Sequence, residues 1–212
     1  MEELKAQEQK ALEAASLLPE EERPLIHSIL ELQKHRDQVY SEYLSELRQL
    51  ENKYEEKYCE IYSERAQLLW NKERYWLTVL KNNELSSSFV YPQDEELLKY
   101  LADIKYYSDP QVDSFTLQFE FRENPFMHNS VLEKKYTLGK PSKAQGTEIQ
   151  WKEAQTLEGG FFKYFESRVK KAVDSDEDMD EENLLAQEDF ELGTELRDEI
   201  IPNSVLYYLK DF

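Results

Sequence analysis

The feature that most constrains the fold is a stretch of forty-five residues, Leu25 to Leu69, that contains no glycine or proline. Apolar residues recur in it at steps of three or four, with an average spacing of about 3.55, between the coiled-coil and straight-helix values. The stretch therefore predicts one continuous helix, about 68 Å long at roughly 1.5 Å per residue. The positions of this apolar seam are Ile29, Leu32, Val39, Tyr43, Leu47, Leu50, Tyr54, Tyr58, Ile61 and Leu68, with Arg36 and Arg65 allowed at two more.

A helix of this length exceeds what a compact domain of this chain length covers with its own surface. Much of the apolar seam should therefore need a partner helix. The alternative is an internal helix of a monomeric bundle. Average globular helices are only about three turns long and the rest of the chain shows no second rod, so we favour the partner helix.

The charge of the chain is the second constraint. With 45 acidic and 26 basic residues, the net charge is -19, which should repel nucleic acid and attract basic partners. A single cysteine, Cys59, fits a reducing compartment. The N-terminus is charged where a secretory segment would be apolar, and no apolar run is long enough to span a membrane, so we expect a soluble intracellular protein.

In the N-terminal part of the chain, the helical spacing of apolar residues and the positions of helix-breaking residues predict three helices and a loop. Residues 1–18 predict a short amphipathic helix, and the long helix is expected from about Pro24, where proline suits the first turn. A short helix over residues 74–81 follows. Residues 82–88 collect asparagine, glutamate and serine and are interpreted as a loop, which places a boundary between regions 1–85 and 86–212.

The second region alternates between strand and helix signals. Asp94 is expected to cap a helix that continues through Leu101. A period-two pattern over residues 115–121 predicts a half-buried strand, and residues 130–138 and 147–151 predict two more. Further expected elements are an aromatic segment at Phe161, Phe162 and Phe165, a helix over 188–201 and a short helix or turn at 205–209. The fold class is therefore α+β, a long helix followed by a small antiparallel sheet covered by helices.

Acidic residues concentrate near the C-terminus. From residue 174 to residue 212 there are fourteen acidic and two basic residues, so the other 173 residues carry only -7 of the net charge. On composition alone, such a run is most often a solvated loop. Its continuation into an amphipathic helix favours a fixed carboxylate array that could hold a lysine- and arginine-rich protein. The predicted contact residues are Asp174, Asp176, Glu177, Asp178, Asp180, Glu181, Glu182, Glu188, Asp189, Glu191 and Glu195.

Catalytic motifs are missing from the sequence. His27, His35 and His128 lack metal-ligand spacing, there is no glycine-rich phosphate loop, and no serine or cysteine lies in a nucleophile motif. We therefore expect no enzyme, no cofactor and no metal. The basic cluster Arg168, Lys170 and Lys171 is interpreted as a helix face paired with acids rather than a nucleic-acid site.

Six segments, taken in order, resemble the nucleosome assembly protein (NAP/SET) family. The resemblance covers nearly all of residues 17–209, and the order of the segments makes it specific. The segments are the Lys-Tyr repeats of 50–62, Trp-Leu-Thr-Val-Leu-Lys-Asn at 76–82, 97–105, 115–121, Asn-Pro-Phe-Met-His-Asn-Ser-Val-Leu-Glu-Lys-Lys-Tyr at 124–136, and the closing region 189–208.

The resemblance implies an ATP-independent chaperone of core histones that promotes nucleosome assembly in the nucleus and cytoplasm. It implies a homodimer whose long helices pair antiparallel, so the seam positions from Ile29 to Ile61 become the dimer interface and 1–85 the dimerisation region. Region 86–212, with acidic segment 174–199, becomes the histone-binding domain. No direct binding of nucleic acid or membrane is expected. The alternative is a coiled-coil scaffold or SET-type phosphatase inhibitor with a non-histone partner.

The sequence departs from the family pattern in two places, and these departures affect the expected nuclear import and histone affinity. Only nine residues separate Trp151 from Phe161, where family members usually have a basic hairpin that serves nuclear import, so import by that route is not expected. The chain also stops at Phe212, without the long acidic tail of many members. We expect either a lower histone affinity or a larger contribution from the surface of the fold.

Overall fold

The computed structural model describes residues 9–11, 13–109, 112–139, 141–152, 160–170 and 180–210. Residues 9–11 and 13–16 are helical. The helices that follow are α1 (Arg23–Leu69), α2 (Tyr75–Asn82), α3 (Glu84–Ser87), α4 (Glu95–Leu98), α5 (Glu181–Glu195) and α6 (Ser204–Tyr208). The strands are β1 (Leu101–Asp109), β2 (Ser114–Phe121), β3 (Val131–Thr137), β4 (Ser142–Gly146) and β5 (Arg168–Lys170).

The predicted long helix is confirmed as α1, which has 47 residues. Toward its end, α1 is attached to the strands and helices that follow. Glu55 accepts a hydrogen bond of 2.6 Å from the backbone N–H of Ser108, and Ala66 is buried. Arg65, which the sequence pattern allows on the seam, instead donates to the carbonyl of Ile201 and to Ser204 Oγ. The seam pattern is therefore wrong at Arg65, because its guanidinium has acceptors within its own domain.

The five strands form one antiparallel sheet in the order β1-β2-β3-β4-β5. The predicted strands 115–121 and 130–138 are confirmed as β2 and β3, with Phe119 paired with Leu132 and Phe115 with Tyr136. Alternate residues of β2 face the core because a strand turns successive side chains to opposite sides. The long helix and this sheet make the molecule α+β, as the sequence predicts.

Two predictions near the sheet are wrong. The helix expected from Asp94 through Leu101 is only a 3-10 turn followed by the single turn of α4, and β1 begins at Leu101. A register shift between Leu101 and Asp103 breaks the period-two pattern in β1 and buries four consecutive residues, which hides the strand in the sequence. The third strand is not 147–151 but β4, in which only Ala144 is buried. Trp151 makes an isolated bridge with Met127.

The core lies between the inner face of the sheet and the surrounding helices. The predicted aromatic segment is a 3-10 helix, Phe161–Phe165, whose Phe161 and Phe165 rings pack edge-on against Phe119. Asp94 holds this segment, because its Oδ2 accepts hydrogen bonds of 2.8 Å from the backbone N–H groups of Tyr91 and Phe161. Gly160 makes the approach possible with a φ of 71°, and a Cβ there would collide with the Asp94 carboxyl group.

The loop expected over residues 82–88 is also wrong. Residues 84–87 form helix α3, and Asn83 and Ser86 are buried. The Asn83 side chain caps α3 by accepting from the backbone N–H of Ser86 at 2.9 Å, so its polarity serves the helix end rather than solvent.

By contacts, the chain divides into two compact units, residues 1–51 and residues 52–212. This division falls within α1 and not at residue 85, the boundary expected from the sequence. Tyr75, Trp76 and Leu80 of α2 belong to the core that also contains the sheet. Among the described residues, none of the helices combines the length and apolar character needed to cross a membrane.

Candidate acidic binding surface

The candidate surface is built on α5, which has six acidic and no basic residues in its fifteen positions. Asp180 caps the helix, since its Oδ1 accepts a hydrogen bond of 2.8 Å from the backbone N–H of Asn183. Glu181 and Glu182 occupy the first turn, where carboxylates are stabilised by the positive end of the helix dipole. Two further acidic residues, Asp198 and Glu199, are exposed on the π-helical turn that continues α5.

The carboxylates of α5 fall into two groups by exposure. Glu181, Glu182, Glu188 and Glu191 are exposed. Helical spacing places Glu181, Glu188 and Glu191 on one side of α5, and the buried positions 183, 186, 190 and 193 lie on the other side. Leu192, near the C-terminal end of the helix, is buried although it lies on the same side as the glutamates. We call Glu181, Glu182, Glu188 and Glu191 the acidic face. Glu191 accepts a hydrogen bond of 2.9 Å from Gln187 within the same helix.

Four predicted contact residues, Asp174, Asp176, Glu177 and Asp178, lie outside the residues that the structure describes. The array can therefore be described only from Asp180 onward. Glu195, at the end of α5, is half-buried and accepts a hydrogen bond of 2.7 Å from the side chain of buried Asn83. That bond ties α5 to the capping residue of α3.

Asp189 does not belong to the acidic face. Its side chain is buried, Lys134 Nζ donates to its Oδ2 at 2.6 Å, and Tyr136 OH donates to its Oδ1 at 2.8 Å. Arg168 Nε lies 3.5 Å from the same Oδ2. A carboxylate with these partners is not available to a macromolecule at the surface, so we correct its predicted role from contact residue to internal anchor.

Burial dominates the electrostatics of this anchor. Desolvation raises the pKa of Asp189, and the charge of Lys134 opposes that rise. The same burial lowers the pKa of Lys134 against the attraction of Asp189. Lys134 Nζ also donates to the carbonyl oxygens of Tyr164 and Glu166, so all three of its protons have acceptors. These hydrogen bonds offset part of the lost hydration, but desolvation outweighs them in the pKa directions of both groups.

Sequence reasoning missed Lys134, although the sequence contains a signal for it. Lys134 lies in phase with Leu132 and Tyr136 on the inward face of β3, where a lysine requires a buried partner. The sequence predicts a helix face for the basic cluster at 168–171, but Arg168–Lys170 is a strand. Arg168 is nevertheless paired with acids, Glu166 and Asp189.

The predicted seam of α1 is exposed in the single chain. Ile29, Leu32, Val39, Tyr43 and Leu50 are exposed in the first unit, and Leu47 is half-buried. Tyr54, Tyr58 and Ile61 are exposed in the second unit. Exposed apolar side chains at helical spacing are typical of an interaction surface.

The described residues contain no group of three or more histidine, cysteine, aspartate or glutamate side chains arranged to hold a metal ion. The features that remain are an acidic helix face and a long helix with an exposed apolar seam. Both are features of a binding protein.

Comparison with known proteins agrees with this class. The family model described as nucleosome assembly protein (NAP) matches residues 71–159 and 153–211. Nucleosome assembly protein 1-like 4 of rice is 30% identical over 236 residues, which cover 89% of this chain and 75% of that protein. Nucleosome assembly protein 1;2 of rice is 29% identical over 244 residues. The chain belongs to the nucleosome assembly protein family.

A solved structure supports the same relationship. The crystal structure of a nucleosome assembly protein from Plasmodium falciparum superimposes with a TM-score of 0.77 at 30% sequence identity, over 92% of this chain and 100% of that chain. The match to rice nucleosome assembly protein 1;2 covers 88% of this chain but only 66% of that relative.

Proposed function

We propose that this protein is an ATP-independent histone chaperone that binds core histones as a homodimer and promotes nucleosome assembly. The observation that carries the proposal is the acidic face of α5, where four exposed glutamates lie on a helix without a single lysine or arginine. Histones are basic, and an array of fixed carboxylates attracts such a partner through the summed charge.

The proposed mechanism is charge exchange. Carboxylates of the acidic face occupy the lysines and arginines of a histone that would otherwise bind DNA without order. DNA, a denser polyanion, displaces the carboxylates when the histone meets it in the correct geometry. Because binding and release both follow from competition between anions, neither step needs a nucleotide, and no residue acts as a catalyst.

The exposed seam of α1 supports the homodimer. A second copy would cover the seam from Ile29 to Ile61 and would join two acidic faces in one particle. Two faces on one particle raise the effective concentration of carboxylates near a histone that has already bound to one of them. We also propose that the protein resides in both nucleus and cytoplasm, which fractionation of its own cells would test.

The test is a change of charge at the acidic face. Replacing Glu181, Glu182, Glu188 and Glu191 by glutamine should weaken binding of purified core histones about tenfold or more and reduce the dependence of affinity on salt. A matched control replaces four other exposed glutamates, Glu73, Glu84, Glu123 and Glu148, by glutamine. The control makes the same change in net charge and should bind nearly as well as the unchanged protein.

Two outcomes would contradict the proposal. If the variant and its control bind histones equally well, the acidic face is not the binding surface. If the unchanged protein retains no histones from nuclear extract, the scaffold with a non-histone partner becomes the better account. Capture of core histones by the unchanged protein and their loss from the α5 variant would support the chaperone.

A further inference from the structure

Two neighbouring leucines of helix α5 are exposed to solvent. Leu184 is 47% exposed and Leu185 is 39% exposed. Neither belongs to the hydrophobic core, whereas Leu192, seven residues after Leu185 on the same helix, does. The packing of α5 on its own domain therefore explains Leu192 but gives no reason for an apolar side chain at positions 184 and 185. We call Leu184 and Leu185 the leucine pair.

Helical spacing places the leucine pair among the glutamates of the acidic face. Leu184 lies three residues after Glu181 and four residues before Glu188. Leu185 lies four residues after Glu181 and three residues before Glu188. Residues at these separations are neighbours on a helix, with Cβ atoms about 5–6 Å apart. Each leucine therefore lies beside two carboxylates, and the exposed side of α5 is apolar as well as acidic.

The surface that carries the leucine pair is held in a fixed position. Asp180 caps the start of α5, and Asp189 binds Lys134 of β3 in the middle of the helix. Glu195, at the end of α5, accepts a hydrogen bond from Asn83. A partner that binds this side of the helix therefore meets a surface that is already ordered, which favours affinity.

Charge limits the kind of partner that covers the leucine pair. Four exposed glutamates surround it, and α5 contains no lysine or arginine. A second copy of the same surface, or an anionic membrane, would bring like charges together as the leucines became buried. A chain that is only cationic would neutralise the glutamates but has no apolar side chain to cover the leucines. The partner that satisfies both is a cationic protein segment with apolar residues among its lysines and arginines.

We propose that Leu184 and Leu185 are histone-contact residues that bind apolar side chains of the histone, while the surrounding glutamates bind its lysines and arginines. This inference rests on the histone binding of the proposed function. The glutamates supply an attraction that salt weakens, and the leucine pair supplies one that salt does not screen. The surface therefore selects histone segments that carry apolar side chains over segments that are only basic.

The test replaces the leucine pair in the full chain and measures the affinity for purified core histones over a range of salt concentrations. Leu184→Gln with Leu185→Gln should weaken binding at least about tenfold at each salt concentration, because less apolar area leaves water on binding. The slope of log affinity against log salt concentration should stay the same, since no charge has changed. Leu184→Ala with Leu185→Ala should give a similar loss, and circular dichroism checks that both variants keep the helix.

Three controls isolate the apolar contact. Val205→Gln with Leu206→Gln changes another pair of exposed apolar neighbours, on α6, and should bind histones as the unchanged protein does. Leu184→Met with Leu185→Met keeps the side chains apolar and should retain nearly all of the affinity. A polylysine peptide, which offers charge without apolar side chains, should bind the glutamine variant and the unchanged protein equally well.

The results separate this inference from the proposed function. If the glutamine variant binds histones normally while the glutamate variant of the acidic face binds weakly, the proposed function stands and only the inference is wrong. If the glutamine variant also loses affinity for polylysine, or its salt slope changes, the leucines act only by positioning the glutamates, which overturns the inference. If the unchanged protein does not bind histones, both are wrong.

Discussion

Lys134 on β3 and Asp189 on α5 form a buried ion pair in which Nζ lies 2.6 Å from Oδ2. The pair joins the sheet to the helix that carries the acidic face. Lys134→Met would leave Asp189 buried without its main counter-charge and should reduce the free energy of unfolding by about 3–5 kcal/mol. Denaturant unfolding measures the loss. Lys134→Met combined with Asp189→Leu should be more stable than Lys134→Met alone, and an equally unstable double variant would contradict this account.

Asp103 predicts an unusual pH dependence. Its side chain is buried, and burial raises the pKa of its carboxyl group from 3.8 to about 6, with Arg65 and Lys105 opposing the rise and Glu120 adding to it. Since the folded pKa exceeds the unfolded one, Asp103 destabilises the protein above about pH 6, and the penalty fades as the pH falls toward 4. Asp103→Asn should therefore be about 2–3 kcal/mol more stable at pH 8.

The difference between Asp103→Asn and the unchanged protein should shrink when both are unfolded at pH 5. Taking this difference removes the contribution of the other carboxyl groups, which titrate in both proteins. A difference that stays constant from pH 8 to pH 5 would mean that Asp103 does not titrate in this window.

The seam of α1 predicts the oligomeric state. Leu47→Asp with Leu50→Asp places two charges on the apolar face and should convert the dimer to monomers, as measured by analytical ultracentrifugation. Gln49→Asp, an exposed position between them, is the matched control and should remain dimeric. Persistence of the dimer after the leucine changes would place the seam on another face of the helix.

Gly193 lies inside helix α5, but replacing it by alanine should not give the usual gain in helix stability. Replacing glycine by alanine inside a helix usually stabilises it by about 0.8–1.0 kcal/mol. At Gly193 a Cβ would lie 2.5 Å from the Tyr136 ring, so Gly193→Ala should destabilise the protein by about 1–3 kcal/mol. Thermal unfolding measures the change. Thr194→Ala, at the exposed neighbouring position, should be neutral or stabilising, and a stabilising Gly193→Ala would contradict the close packing of α5 on β3.

The sequence correctly predicts the elements in which the periodicity of apolar residues is uninterrupted. Helix α1 has no breaker over its length, and β2 alternates strictly, so local pattern and tertiary packing agree. Strand β1 escapes prediction because its register shift near Asp103 removes the alternation. Strand β4 is not predicted because only one of its residues, Ala144, is buried, so it shows no apolar alternation. Its strand conformation comes from hydrogen bonding to β3 and β5.

The candidate site divides in the same way. An acidic helix face is visible in composition and spacing, but the sequence does not distinguish Asp189 from Glu188 or Glu191. What separates them is Lys134, 55 residues earlier in the chain, which meets Asp189 only when the sheet and α5 are packed together. The only local indication of this buried ion pair is that Lys134 occupies a position of β3 where the alternating pattern predicts an apolar residue.

The most direct test of the central claim is the mass of the particle in solution, measured by light scattering with and without purified core histones. The chain mass is 25.4 kDa, so the protein alone should give about 51 kDa as a homodimer. Added histones should increase the mass of that particle, and the gain should disappear at high salt. A mass near that of a single chain, or one that histones leave unchanged, would contradict the account.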